Sequence, residues 1–166
     1  MAIALITHVA CLRHDTGDGH PECADRLSAV LDALNIERFP DLLRIEAGWA
    51  SPTDLMRVHD RAYVERILEL QPAAGEIVPL DLDTMVSSHT IEAALRACGG
   101  AMDAVDLVMN GGATSAFVAV RPPGHHAEPA RAMGFCLFNS VAVAACHAGT
   151  MGPETGRRCR LRCASR

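Results

Sequence analysis

Two adjacent histidines, His125 and His126, are the residues of this sequence best suited to moving protons. Imidazole is the side chain whose ordinary pKa lies near neutrality, so such a pair facing one pocket can act as acid, base or electrostatic stabiliser. The pair follows Arg121-Pro-Pro-Gly124, a rigid turn that fixes the backbone in front of it. Taken alone, two neighbouring histidines are also what a protein surface shows by chance. A second candidate chemistry lies at the other end of the composition. Cys159 and Cys163 sit in an arginine-rich run, a pattern that metal or polyanion binding can produce. The seven cysteines form no CxxC pair, so a structural zinc knuckle is not expected.

The histidines need an element to carry them. Residues 113–120 are apolar and partly β-branched, which predicts a buried strand running directly into the Pro-Pro-Gly loop. Active sites of open α/β sheets gather at the carboxyl ends of their strands, and the pair stands at such an end. Upstream, residues 1–6 read as a first buried strand and 7–22 as a polar loop rich in His, Asp and Gly. Leu27, Val30, Leu31 and Leu34 give 25–34 helical spacing, and 42–47 is a short strand. Ser51, Pro52 and Asp54 mark a helix start, and 60–70 is an amphipathic helix using Val64, Ile67 and Leu68. Residues 72–83 read as loop, 87–109 as the longest helix, and 134–148 as a last helix. Helices alternating with short apolar strands predict an α/β protein with a parallel sheet. Only about three strands are visible, few for a sheet covered on both faces.

A chain of 166 residues with 49% hydrophobic and 21% charged residues fits one globular domain with a sizeable core. No apolar run approaches the roughly 20 residues of a membrane helix. The apolar opening lacks the basic region and cleavage site of a signal peptide, so a cytoplasmic protein with reduced thiols is expected.

The surroundings of the histidine pair say more than the pair. Arg121-Pro-Pro-Gly-His-His-Ala-Glu, followed by Met133-Gly-Phe-Cys-Leu-Phe-Asn139, resembles the signature of the zinc-dependent histone deacetylase and acetylpolyamine amidohydrolase family. His14-Asp-Thr-Gly-Asp-Gly-His-Pro-Glu22 with Arg26-Leu27, Val58-His-Asp-Arg-Ala-Tyr-Val64, Leu82-Asp-Thr84 and Ala93-Ala-Leu-Arg-Ala-Cys-Gly-Gly100 resemble further family segments in the family's order. The resemblance covers residues 1–148. It implies a three-layer α/β/α fold with a parallel sheet, of the arginase and deacetylase kind, cut off after about three strands. It also implies roles. His126 would be the general base and later acid, with His125 its electrostatic partner. Gly134 and Phe135 would line a narrow acyl channel, and Asp81 would steady the substrate backbone at its rim. Cys136 and Arg26 would lie near the acetate pocket, with core packing the competing reading for Cys136 and a helix-face role for Arg26. Asp83 reads as the cap of the turn after it, and His8, His20, His59 and His89 as structural or loop residues. Implied partners are acetylated lysine or acetylpolyamine substrates, with no membrane and no nucleic acid. The implied cofactor of the intact family is zinc, with potassium as a second ion, and this chain is expected to bind neither.

That last expectation comes from what the sequence lacks. The family draws metal ligands from an Asp-x-Asp-x-His-His-Gly strand and a later aspartate, and holds the oxyanion with a late tyrosine. Neither ligand segment is present, and the one tyrosine is Tyr63, inside an early helix. The tail offers a reason. Fifteen arginines and no lysine carry the positive charge; residues 151–166 hold five of them against one acid, whereas the first 150 hold ten against nineteen acids. If the codons of residues 151–166 are read one base further on, permitted choices at degenerate positions give Trp-Gly-Leu-Lys-Arg-Val-Ala-Val-Val-Asp-Phe-Asp-Val-His-His-Gly. All sixteen positions comply. The chain is therefore divided into residues 1–148, the N-terminal part of a deacetylase domain, and residues 149–166, an out-of-frame and irregular tail. The leading expectation is an inactive part of a deacetylase with an open sheet edge. A non-enzymatic acyl-ligand or protein-interaction module comes second, and a basic-tailed nucleic-acid binder a distant third.

Overall fold

A computed structural model describes residues 2–151, 160 and 161. The first strand, β1 (Ile3–Thr7), is the centre of the molecule, with Ala4, Leu5 and Ile6 fully buried. Burial on both faces is what a central parallel strand requires, and it explains why this strand is apolar without alternation. Two short helices follow, α1 (Ala10–Arg13) and α2 (Ala24–Ala33), then β2 (Leu43–Glu46). Next come α3 (Pro52–Leu55) and α4 (Arg61–Leu68). A two-residue hairpin pairs β3 (Val78–Pro79) with β4 (Met85–Val86), and the long α5 (Thr90–Met109) leads into β5 (Ser115–Val118). The described chain closes with α6 (Ser140–Thr150).

The main sheet has the order β2-β1-β5, all parallel, with Ala4 opposite Leu43 on one side and Ala116 on the other. Its two faces are covered by different helices. Ala4 and Ile6 pack with Ala104 and Leu107 of α5, and Leu5 packs with Cys11 of α1 and Leu27 of α2. The α/β reading with a parallel sheet therefore holds. α6 lies on the outer side of α5, joined through Val105, Met109 and Ala144. The largest apolar cluster is off the sheet, where Leu55, Tyr63, Val64 and Ile67 meet Leu137, Phe138 and Val143. Among the described residues β5 has no strand on its outer side, and Phe117 is half exposed there. No described helix is long and apolar enough to cross a membrane.

Three expectations need correction. The polar stretch 7–22 contains α1, which starts where Ala10 and Cys11 are buried under β1. The stretch 72–83 is not all loop, because Val78 pairs with Val86 and Pro79 with Met85. The last helix begins at Ser140, not 134. Asn139 caps it by accepting from the Ala142 N–H at 3.0 Å, and the five residues before Asn139 have another conformation, described below. Of the expected tail, 149–151, 160 and 161 are described and Thr150 still belongs to α6; the rest lies outside the described residues.

Candidate active site

The chain leaves β5 through Ala119, whose N–H donates to the Ile6 carbonyl at 2.8 Å, and enters the histidine loop at a cis Arg121–Pro122 peptide. Gly124 passes so close to the start of α6 that a Cβ there would meet the Phe138 carbonyl oxygen and the Ser140 nitrogen at 2.6 Å. Past this point the imidazoles of His125 and His126 stand with ring centroids 4.2 Å apart, tilted by 50°. His125 is half-buried and His126 exposed. Burial lowers the pKa of His125, and the neighbouring His126 lowers it further, which favours its neutral form.

A second loop lies against His126. Met133 and Cys136 exchange backbone hydrogen bonds at 3.1 and 3.0 Å, leaving Gly134 and Phe135 as the two central residues of a tight turn. Both have positive φ, +57° and +68°, as a type I′ turn demands. Glycine adopts this conformation freely and phenylalanine only under constraint. The constraint is visible. The Phe135 N–H donates to Thr84 Oγ1 at 3.1 Å, and its ring meets the His20 ring edge-on at 4.9 Å. Gly134 in turn lies on the His126 ring, since a Cβ at that position would come within 2.9 Å of Cδ2. The structure thus brings Gly134 and His126 into contact with Phe135 beside them.

The other expected site residues are placed as follows. The fully buried Cys136 points its thiol at the Gly134 carbonyl, 3.2 Å away, at the base of the same turn. Half-buried Asp81 accepts from the Asp83 N–H at 3.1 Å, and Asp83 Oδ1 accepts from the Thr84 hydroxyl at 3.1 Å. Asp81 also lines a cleft of about 310 Å³ with Tyr63, Arg66, Leu80 and Arg131. Arg26 is exposed on α2 and donates to the Pro21 carbonyl at 3.3 Å. Tyr63 is buried and its hydroxyl donates to the Leu137 carbonyl at 2.6 Å, a structural bond inside the core. His59 is structural as expected: it faces the Glu128 carbonyl through Nδ1 at 2.9 Å and accepts from the Asn139 N–H through Nε2 at 2.9 Å.

His20 and Thr84 also belong to this candidate site, although by sequence alone they are a loop histidine and part of a family segment. His20 accepts from the Glu22 N–H through Nδ1 and faces the Asp83 carbonyl through Nε2, both at 3.1 Å, which clamps the 81–84 turn against Phe135. Only the family pattern around His20 could have pointed to it. Among the described residues no three His, Cys, Asp or Glu side chains come together as a metal would require. The described residues therefore do not fit the zinc that the family implies.

A parallel sheet with helices on both faces and a histidine pair beyond a strand's carboxyl end makes this part of an α/β domain, with its candidate site where such sheets place theirs. Residues 20–157 match the histone deacetylase domain. A probable deacetylase of Archaeoglobus fulgidus is 37% identical over 146 residues, covering 86% of this chain and 40% of that protein. The histone deacetylase-like amidohydrolase of Pseudomonas aeruginosa is 40% identical over 124 residues, covering 75% and 32%. The human polyamine deacetylase HDAC10 is 37% identical over 137 residues, covering 77% and 20%. The crystal structure of the HDA15 HD domain superposes with a TM-score of 0.81 at 31% identity, over 92% of this chain and 45% of that one. The chain belongs to the histone deacetylase family, and it spans less than half the length of these relatives.

Proposed function

We propose that residues 1–148 carry the proton-transfer half of a deacetylase site that hydrolyses acetyl-lysine or acetylpolyamine amides. The observation that supports this best is the exposed His126 imidazole lying against Gly134 and beside the paired His125. In the reaction, water forms a bond to the acyl carbon and His126 takes its proton. As the C–N bond breaks, His126 returns that proton to the departing amine nitrogen, leaving acetate and a free amine. The neutral His125 beside it stabilises the imidazolium without competing for the proton. The Gly134–Phe135 turn forms one wall of the acyl channel, with Cys136 beneath it. Asp81 steadies the substrate at the rim, and Arg26 belongs to the acetate end.

On this reading the 166-residue chain does not turn over substrate. The three protein ligands of a catalytic zinc are not among its described residues, and Tyr63 is committed to the core. Residues from about 149 are an out-of-frame translation of the segment that would complete the site, and the protein acts in the cytoplasm on an acetylated lysine or polyamine. Two proteins test this: the chain as it stands, and the product of the gene with one base removed at codon 151 and translated onward. Acetate release from acetyl-lysine peptide or N-acetylputrescine by the second alone, stopped by a zinc chelator, is the expected result. Chelator-sensitive turnover by the 166-residue chain would overturn the reading, as would an early stop codon in the shifted frame.

A further inference from the structure

Arg121 connects the strand that reaches the site with the loop that carries the histidines, and its side chain has no access to substrate. It is only 4% exposed, and Glu22, 99 residues earlier, is 5% exposed. The two meet as a fork. Nε donates to Oε1 of Glu22, and Nη2 donates to Oε2 at 2.8 Å. Nη1 donates to the carbonyls of Cys11 at 3.0 Å and His14 at 3.1 Å, and Nη2 also reaches the Glu22 carbonyl at 3.4 Å. The guanidinium therefore bonds three points on the 11–22 segment at once.

The carboxylate is held from its other side too. His14 Nε2 lies 3.5 Å from Oε2 of Glu22, and His14 Nδ1 lies 2.8 Å from Thr90 Oγ1 at the start of α5. Thr90 Oγ1 accepts from the Ser87 N–H at 2.7 Å, and Ser87 Oγ accepts from the Asp15 N–H at 3.0 Å. One buried network thus ties together the exit of β5, the 14–22 loop and the start of α5. The same 14–22 loop supplies His20, which bears on Phe135. Burying two charges is a poor route to stability, because desolvation offsets much of their attraction. A bidentate fork is good at something else, which is fixing direction.

We propose that Arg121 and Glu22 are positioning residues: their buried fork sets the path of residues 121–124 and thereby aims His125 and His126 under the Gly134–Phe135 turn. The proposal rests on the reading of that pair as the proton-transfer group. Lysine at 121 would keep the charge and lose the fork, so charge alone does not suffice.

The test is heteronuclear NMR of the histidine rings in the 166-residue chain. Arg121→Lys, Glu22→Gln and the double variant Arg121→Gln with Glu22→Gln are compared with Val105→Ala, a core truncation on α5 outside the network. Circular dichroism checks that each variant is folded. The double variant leaves no unpaired buried charge and decides the matter if either single variant fails to fold. Ring shifts of His125 and His126 several-fold larger in the fork variants than in Val105→Ala are expected. Folded fork variants with both rings unmoved, or equal movement in Val105→Ala, would overturn the proposal. Because the readout is ring placement and not turnover, it stands or falls separately from the proposed activity.

Discussion

A single methyl group at residue 134 is enough to test the geometry of the site. Alanine there would have to hold φ near +57°, and its Cβ would press on the His126 ring. Left-handed backbone costs a non-glycine residue about 1–2 kcal/mol. Gly134→Ala should therefore lose about that much stability in urea titration, and the His126 ring resonances should move. The types of the turn residues were readable in the sequence, because the stretch around Met133-Gly-Phe-Cys-Leu-Phe-Asn139 is distinctive. The positive φ of Phe135 was not. It follows from contacts with Thr84 and His20, which lie 51 and 115 positions earlier in the chain and leave no local mark. Arg121 and Glu22 both stand in family segments of the sequence, but their pairing across 99 residues leaves no local mark either.

At the scale of elements, α6 is anchored by one residue to the loop it follows. Asn139 accepts from the Ala142 N–H with its side-chain oxygen and donates from Nδ2 to the Ala127 carbonyl at 3.3 Å, next to the histidines. Asn139→Ala should cost about 1 kcal/mol from the lost cap, measured by chemical denaturation, and more if the bond to Ala127 carries weight. A loss below the error of the measurement would show that α6 holds without its cap. Elements with a strong local signal matched expectation: β1 by its apolar run, α5 by its length, and α3 by the reciprocal Ser51 and Asp54 cap. Those without one did not. β3 and β4 have two residues each, and Pro79 argues against a strand. The run 134–138 has the hydrophobicity of a helix, and only its turn geometry separates it from α6.

For the whole molecule, buried histidines make stability depend on pH. Burial lowers His14 to about 4, against an ordinary 6.5, despite the nearby Glu22; burial also lowers His59. Both rings thus take up protons more readily in the unfolded chain. Their contribution is intact above pH 6.5 and is lost as pH falls towards 4, by about 3 kcal/mol for His14. Urea midpoints should accordingly fall between pH 7.5 and pH 5, and a midpoint that holds steady would contradict the burial described here. The parallel sheet and the helices on both its faces are the level at which the sequence was most legible, since alternating apolar strands and amphipathic helices allow few arrangements.

The central claim is that His126 moves the proton in amide hydrolysis. Its most direct test is the turnover number for acetate release by the frame-restored protein, with and without His126→Ala. The account predicts a fall of roughly 10²–10⁴-fold in kcat with KM little changed. A kcat within a few-fold of the unaltered protein would contradict it.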